Sequence, residues 1–177
     1  MEFSPESVNQ NQINDYKTIE QTMEKLSDGA RRLAAQLTTT ASFESIWGVL
    51  TDYERLNEYI PNLLMSKQLY KNKNNIQLKQ VGSQDFLGLK FSAEVVLDLF
   101  EDKDKGLISF KLIRGDFRRF EGSWKIQPFP NKEKNSLIYD LTVKGCQWMP
   151  IAMIEKRLKR DLSENLIAVD KQARLSF

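Results

Sequence analysis

Histidine is absent from this sequence, and cysteine occurs only once, as Cys146. Without imidazole, the Ser-His-Asp and Cys-His arrangements of nucleophilic catalysis are excluded. Histidine-dependent zinc sites are excluded too, and one cysteine can form neither a thiolate cluster nor an internal disulfide. We therefore predict no metal site, and acid–base chemistry is left to Asp, Glu, Lys, Tyr or Cys146. Cys146 itself is predicted to be a small packed residue rather than a nucleophile.

Long apolar runs and a strong net charge are also missing. No apolar stretch approaches the roughly 20 residues that a membrane-spanning helix needs. The first stretch, MEFSPESVNQNQ, lacks the basic and apolar regions of a secretory signal peptide, so we expect a cytoplasmic protein. The net charge of +2 disfavours nucleic acid or a ribosome as partner without excluding either. No glycine-rich phosphate loop is present, and we predict no cofactor.

The 177 residues, of which 41% are hydrophobic and 28% charged, are enough for one globular domain. We divide the chain into a polar N-terminal extension, residues 1–30, and a folded domain, residues 31–177. The first 14 residues are rich in Asn, Gln and Ser, which predicts disorder. Three apolar residues then recur at helical spacing before Gly29, and they predict a short helix outside the core: Ile19, Met23 and Leu26.

A strand and two short helices are predicted next. Apolar and polar residues alternate in RRLAAQLTTTA, which begins at Arg31 and is typical of a strand with one buried face. Ser42 is suited to cap the following helix, whose apolar face comprises four residues: Phe43, Ile46, Trp47 and Leu50. A second short helix is expected to end before Pro61, because proline has no N–H to donate and restricts the residue before it.

Six segments then alternate apolar and polar residues between polar turns, which predicts an antiparallel meander with one buried face. They are LLMSKQLY, NIQLKQVG, KFSAEVVLDLF, LISFKLI, FRRFEGSWKIQP and SLIYDLTVKG. After Pro150 the period changes, and apolar residues recur every three or four positions over about six helical turns: Ile151, Ile154, Leu158, Leu162, Leu166, Val169 and Ala173. The sequence therefore predicts one long amphipathic helix at the end of the domain.

The order of these elements predicts an α+β fold. A curved antiparallel sheet with one apolar face has to be covered, and one long helix with one apolar stripe can cover it. We predict a sheet wrapped around the C-terminal helix, with two short capping helices after the first strand. A helix across a curved sheet leaves a hollow, which is either a cavity for a small apolar molecule or a filled core. Periodicity leaves both outcomes open.

Four segments carry a resemblance to a known family: SFESIWGVLTDYERLNEYIPNL, LKFSAEVVLDL, RRFEGSWKI and MPIAMIEKRLKRDLSENLIAV. They resemble the START-like superfamily with its helix-grip fold, and within it the polyketide cyclase/dehydrase and Coq10-like group. The resemblance spans residues 31–173 and implies that the two short helices cap the mouth of a ligand cavity. The superfamily includes lipid carriers, quinone-binding proteins, aromatase/cyclases and a ribosome-associating toxin, so the resemblance implies several functions.

The apolar strand faces, the aromatic residues and the resemblance together predict binding of a hydrophobic small molecule, with a role in transport or chaperoning. A lipid, an isoprenoid quinone or a polycyclic aromatic would suit the cavity, and transient membrane contact would suit its exchange. Eleven residues are predicted to contact the ligand: Trp47, Tyr53, Tyr59, Ile60, Phe91, Phe110, Trp124, Tyr139, Met149, Met153 and Arg157. Plain core packing is the alternative for Trp47 and Trp124, and a solvated helix face is the alternative for Arg157.

Two other functions stay open at this point. The first is a polyketide cyclase/dehydratase-type enzyme, which would act by folding its substrate in a shaped pocket and for which Tyr139 and Arg157 are the candidate acid–base groups. The second is a ribosome- or protein-interaction module with a continuous basic surface, for example along EKRLKRDLSEN. Acidic residues interleave with the basic ones in that segment, which disfavours the second function. No paired carboxylates emerge for the first, so we favour ligand binding without catalysis.

Overall fold

A computed structural model describes residues 19–131 and 133–175, with the backbone alone at Phe86. Eight strands and three α-helices are present in these residues. In chain order they are β1 (Ile19–Lys25), β2 (Arg31–Thr39), α1 (Phe43–Thr51), α2 (Leu56–Tyr59), β3 (Leu63–Asn72), β4 (Asn75–Phe86), β5 (Leu89–Asp102), β6 (Leu107–Gly115), β7 (Phe117–Pro128), β8 (Asn135–Gly145) and α3 (Ile151–Leu175). Short 3-10 turns at Tyr53–Arg55 and Lys103–Lys105 complete the order.

All eight strands form one sheet in the order β1-β2-β8-β7-β6-β5-β4-β3. Every neighbouring pair is antiparallel. Apolar residues from alternate positions of these strands form one core with α1 and α3. The α+β helix-grip architecture predicted from the sequence, including the meander and the long C-terminal helix, is therefore confirmed.

The short helix predicted before Gly29 is wrong, because that segment forms strand β1. β1 pairs with β2 from Ile19↔Leu37 to Lys25↔Arg31, and Gly29 adopts a φ of +83° in the connecting turn. A spacing of four residues, as between Ile19 and Met23, fits the period of a helix and the period of a strand equally well. Pairing decides between them, because β1 satisfies backbone groups that the edge of β2 would otherwise leave unpaired.

The disorder predicted for the first 14 residues lies outside the described residues. The division into residues 1–30 and 31–177 stays a prediction, although β1 belongs to the same sheet as the rest of the domain.

The two short helices form as the sequence predicts. The Ser42 hydroxyl accepts a hydrogen bond from the Ser45 N–H at 3.1 Å, which satisfies one of the free donors at the start of α1. Helix α1 then buries its apolar face: Ile46, Trp47, Val49 and Leu50. Helix α2 ends at Ile60, which is extended with φ −74° and ψ 120°, as a residue before proline prefers to be.

Helix α3 lies against the concave face of the sheet and buries most of the predicted stripe. Its buried apolar residues are Met153, Ile154, Leu158, Leu162, Leu166, Val169 and Ala173. The prediction is wrong for Ile151, which is 55% exposed. Ile151 shares the angular position of the stripe but lies in the first turn, at the end of the sheet, whereas Ile154, about one turn nearer the centre, is buried.

Two polar contacts fix α3 on β2, one near each end of the helix. Near the start, Arg31 Nε donates to Glu155 Oε1 at 2.7 Å. Near the end, the fully buried Asp170 accepts a hydrogen bond from the Thr39 hydroxyl and pairs with Arg174 Nε at 3.0 Å. Buried carboxylates are tolerated where partners of this kind compensate the lost hydration. The position of α3 over the sheet is thereby set at both ends.

Candidate functional site

A cavity of about 230 Å³ lies between the concave face of the sheet and α3. It is larger than an engineered apolar cavity of roughly 150 Å³ that binds benzene. It is smaller than the roughly 300–1,000 Å³ of drug-sized ligand sites. Most of the strand residues that line it are apolar or aromatic, and they include Val95, Leu97, Leu99, Ile108, Phe110, Phe120, Trp124, Leu141 and Val143. Of the two outcomes left open by the sequence, the structure thus has a cavity rather than a filled core.

Gly122 of β7 helps to make this interior possible. It pairs with Phe110 of β6 in the sheet register. A Cβ at position 122 would lie 2.9 Å from the Phe110 ring and 2.0 Å from the Asp140 carbonyl oxygen, which is closer than real Cβ contacts. A larger residue there would displace the Phe110 ring or the neighbouring strand. Glycine lets the ring of Phe110 reach the cavity wall.

The cavity opens at one end of the sheet. Lining residues at that end reach the surface, and Trp148, between β8 and α3, is 55% exposed. Lining residues toward the other end, such as Leu78, Ile108 and Val169, are buried. Strands β4 and β8 run in the same direction, because four antiparallel steps separate them in the sheet. The loops that follow these two strands therefore lie at the same, open end.

Part of the open end is formed by a two-stranded extension of the sheet, the β4–β5 ribbon (residues 83–93). Strand β5 pairs with β6 only as far as Val95↔Gly115, and β4 pairs with β3 only as far as Gly82. Beyond these points β4 and β5 continue to pair with each other up to Phe86↔Leu89. The ribbon thus extends past the rest of the sheet toward the start of α3.

Arg157 of α3 connects the helix to this ribbon. Its Nη1 donates to Gln84 Oε1 at 2.9 Å, and its Nε donates to Asp161 Oδ2 at 2.6 Å. All three residues line the cavity. Arg157 faces the cavity rather than forming part of a solvated helix face only. Its charge is balanced inside the site by a carboxylate one helical turn away.

Two oxygen atoms in the cavity wall are buried and lack a hydrogen-bond partner within the described residues: Asp161 Oδ1 and Asn165 Oδ1. Arg160 Nε lies 3.6 Å from Asp161 Oδ1, which is too far for a hydrogen bond. Neither residue could be predicted from the sequence, because both belong to a charged and polar segment that predicts a solvated face. The spacing Arg157, Asp161 and Asn165, four residues each, was the signal that one face of α3 carries them together.

Tyr139 of β8 adds a phenol to the same wall. Its ring stacks on Trp124 with ring centres 3.9 Å apart and planes inclined by 9°. Burial, and to a smaller extent the Asp161 carboxylate, raises the pKa of Tyr139. The phenol therefore remains protonated at neutral pH and can donate a hydrogen bond. Stacked rings with one polar tip are suited to an apolar ligand that carries one polar group.

Nine of the eleven residues predicted to contact a ligand line the cavity: Tyr53, Ile60, Phe91, Phe110, Trp124, Tyr139, Met149, Met153 and Arg157. The Tyr53 hydroxyl, however, donates to Glu101 Oε1 at 2.6 Å, and burial followed by that contact raises the pKa of Tyr53. That any of the nine contacts a ligand stays a prediction.

Trp47 and Tyr59 do not lie in the cavity wall. Trp47 is buried and stacks on Phe43, with ring centres 5.9 Å apart. The Tyr59 hydroxyl donates to the Val49 carbonyl oxygen at 2.7 Å, and burial raises the pKa of Tyr59. Both side chains hold α1 and α2 in place around the cavity.

Neither a membrane-crossing helix nor a ligand set for a metal is present in the part of the chain that the structure describes. No helix there is long and apolar enough to cross a membrane. No three His, Cys, Asp or Glu side chains there are grouped as metal ligands would be.

Comparison with solved structures identifies the fold. A STAR-related lipid transfer protein from Xanthomonas axonopodis superposes with a TM-score of 0.74 at 14% identity, covering 89% of this chain and 94% of that one. Human StAR-related lipid transfer protein 5 gives 0.73 at 10% identity, covering 90% and 83%. An aromatase/cyclase from Streptomyces gives 0.71 at 15% identity, covering 82% and 94%. Identities this low establish a shared fold and nothing finer.

Comparison at the level of sequence identifies the family. No curated protein matches the chain significantly. The model of the family described as "Polyketide cyclase / dehydrase and lipid transport" matches residues 39–170, which is most of the domain. The matched range runs from the end of β2 to the last turns of α3 and so includes the whole cavity wall contributed by strands β3 to β8. The chain therefore belongs to the polyketide cyclase/dehydrase and lipid transport family.

Proposed function

We propose that this protein binds a hydrophobic small molecule in the cavity between the sheet and α3. The observation that carries the proposal is a cavity with a mostly apolar wall that is open at one end. Side chains of a solid hydrophobic core could have filled this space, and they do not. Transfer of apolar surface out of water is worth about 25 cal/mol per Å² before the costs of association are subtracted. The family description, which names lipid transport alongside cyclase chemistry, is consistent with such a role.

The aromatic residues in the cavity wall favour a compact ring system as ligand. A polycyclic aromatic could stack on the paired rings of Trp124 and Tyr139. A lipid or an isoprenoid quinone would place its chain through the open end. The Coq10-like subgroup, which would favour a quinone, and the cytoplasmic location expected from the sequence both stay predictions.

Exchange of such a ligand would take place at the open end, which we propose contacts a lipid membrane transiently. Four large apolar residues there are exposed: Leu87, Leu89, Trp148 and Ile151. Leu87 and Leu89 form the tip of the β4–β5 ribbon, and Trp148 and Ile151 flank the start of α3. An apolar rim next to an apolar cavity would let a ligand pass without entering water.

Phosphatidylcholine vesicles test the membrane contact. We expect a blue shift of tryptophan fluorescence on addition of vesicles, since Trp148 is the most exposed of the three tryptophans, and we expect no shift in Trp148→Phe. Leu87→Ser combined with Leu89→Ser should weaken vesicle binding but leave ligand affinity unchanged, because neither leucine lines the cavity. Unchanged vesicle binding in this double variant would contradict the membrane proposal.

A second candidate function is a cyclase/dehydratase-type enzyme, favoured by the Tyr139 phenol and the Asp161 carboxylate on the same cavity wall. The protonated phenol could polarise a substrate carbonyl, and the carboxylate could accept a proton from an adjacent carbon. If the protein converts a poly-β-ketone thioester, and Tyr139→Phe abolishes this conversion while binding is retained, catalysis would be favoured.

The third function, a ribosome- or protein-interaction module, needs a continuous basic surface. Basic residues of α3 are instead paired with acidic ones, as Arg157 is with Asp161, so no observation on the described residues favours this function.

Native mass spectrometry of gently purified protein, followed by organic extraction, tests the main proposal. A stoichiometric apolar molecule that is released on extraction is the expected result, and its structure would name the ligand class. A protein that arrives without a ligand is then titrated with apolar fluorescent probes. Failure of all of these to bind would overturn the proposal.

A further inference from the structure

The cavity wall is mostly apolar but carries a small cluster of polar groups on α3 and β8. Arg157 and Asp161 are the only charged residues that line it within the described residues, and they pair with each other at 2.6 Å. On the same face of α3, Asp161 Oδ1 and Asn165 Oδ1 are left buried with no hydrogen-bond partner. The Tyr139 phenol faces the same space from β8. The wall therefore offers two free acceptors and one protonated hydroxyl.

Free acceptors in a buried site are costly unless a ligand satisfies them. Leaving such a group without a hydrogen bond costs free energy, whereas a bound donor removes that cost. A ligand with a hydroxyl fits this demand, because its O–H can donate to an acceptor on α3 while its oxygen accepts from Tyr139. An ether or ketone has an oxygen acceptor but no proton to donate.

The charges of the wall disfavour an ionised ligand. The Asp161 carboxylate lies between Arg157 Nε at 2.6 Å and Arg160 Nε at 3.6 Å, so its charge is already compensated. An ammonium group would approach two guanidinium groups, and a carboxylate would approach the oxygens of Asp161 and Asn165. Either charge would also lose hydration, and the nearest group of opposite sign in the wall, Arg157 or Asp161, is already engaged in their mutual ion pair.

We propose that the ligand is an apolar molecule that carries a neutral hydroxyl group, which donates its one proton to Asn165 Oδ1 and accepts a hydrogen bond from the Tyr139 phenol. This inference rests on the proposed function, because it names the chemical class of the molecule in the same cavity. The hydroxyl belongs to a phenol or to an alcohol. Such a site prefers the hydroxyl compound to an ether of the same skeleton, whereas a pocket that binds by apolar burial alone does not.

A matched series of probes tests the proposal by calorimetric titration of the full chain. Naphthol carries the hydroxyl, its methyl ether has the same oxygen without the proton, and naphthoate carries a charge on the same skeleton. We expect naphthol to bind at least about tenfold more tightly than the ether and than naphthoate, the usual order for a buried unpaired acceptor. The saturated alcohol decahydronaphthol separates the two sources of the hydroxyl, since a phenol site prefers naphthol and an alcohol site does not.

Three variants assign the preference to its residues. Asn165→Leu removes one acceptor without changing the charge, and Tyr139→Phe removes the phenol but keeps the ring that stacks on Trp124. Each should bring the affinities for naphthol and its ether to within about threefold, because one partner of the hydroxyl is lost. Tyr70→Phe is the matched control, because Tyr70 is exposed and does not line the cavity, and this variant should keep the full preference.

The outcomes separate this inference from the proposed function. Equal binding of naphthol and its ether by the wild type overturns the hydroxyl inference and leaves ligand binding intact. A preference that survives in both Asn165→Leu and Tyr139→Phe overturns the assignment to these residues. If no member of the series binds, both the inference and the proposed function fail. A folded Tyr139→Phe protein is enough for the test where Asn165→Leu does not fold.

Discussion

At the scale of single residues, buried polar side chains are held by specific partners: Asp170 accepts a hydrogen bond from Thr39 of β2, and Asp161 pairs with Arg157. Phe110, Trp124 and Tyr139 alternate on strands and could be assigned to one buried face. Asp161 and Asn165 could not, because polar residues on an amphipathic helix are expected on the solvated side. Asp170 was missed for the same reason, although it is fully buried. Burial of such groups depends on partners from distant strands, which a local period does not contain.

Thr39→Val is expected to lower the free energy of unfolding by about 1.5–3 kcal/mol, the usual range for a hydrogen bond to a charged group. The substitution keeps the shape of the side chain but removes the hydroxyl that donates to the buried Asp170 and accepts from the Ala41 N–H. Urea denaturation measures the change. Thr22→Val, at an exposed position of β1, is the control and should stay within about 0.5 kcal/mol of the wild type. Equal effects of the two variants would contradict this role of Thr39.

At the scale of elements, the central strands and the long helix were predictable because each presents one repeated period over many residues. The edge strand β1 was not, since only two of its residues, Ile19 and Met23, pack against the core. Two apolar residues four apart fit a helix and a strand alike. The length of the β4–β5 ribbon was also beyond the pattern, because alternation along a strand does not reveal where its neighbours end.

Arg157→Ala is expected to loosen the β4–β5 ribbon from α3. The variant removes the hydrogen bond to Gln84 and leaves Asp161 without its closest partner. Hydrogen exchange should become faster in residues 83–93, and the free energy of unfolding should fall by about 1–3 kcal/mol. Arg55→Ala, which breaks the exposed pair with Glu58, should lower the free energy of unfolding much less than Arg157→Ala and leave exchange in the ribbon unchanged. Exchange that is unaltered in Arg157→Ala would rule out this contact as the one that holds the ribbon.

The contact between α3 and the strand pair β1–β2 should depend on pH through Glu155. The hydrogen bond from Arg31, together with Lys25, holds the pKa of Glu155 below its usual value of 4.5. A carboxylate with a lowered pKa in the folded state stabilises the protein fully above the usual value, and this contribution is lost as the pH falls through the lowered one. The stability difference between wild type and Glu155→Gln should therefore be present at neutral pH and shrink progressively below pH 4.5.

Glu54→Gln is the control for this titration, since Glu54 is exposed on the 3-10 turn. At neutral pH its free energy of unfolding should stay within about 0.5 kcal/mol of the wild type. A difference for Glu155→Gln that stays constant from neutral to acid pH would show that the ion pair with Arg31 does not contribute.

At the scale of the whole molecule, the order of elements was enough to predict the architecture, because few arrangements cover one apolar face of a curved sheet with one helix. The same reasoning could not decide between a cavity and a filled core. That outcome depends on side-chain volumes and on close approaches such as that of Gly122 to Phe110. It also depends on the ends of α3, which Glu155 and Asp170 fix to β2.

The measurement that tests the central claim most directly is a calorimetric titration of an apolar ring probe, such as naphthol, into three proteins. Ala93 lines the cavity, so Ala93→Phe should fill part of it, whereas Ala34→Phe changes the outward side of β2. We predict one equivalent bound to the wild type and to Ala34→Phe with the same affinity, and at least about tenfold weaker binding to Ala93→Phe, since overpacking removes the space for the ligand. Equal binding to all three folded proteins, or no binding to the wild type, would contradict the claim that this cavity is the ligand site.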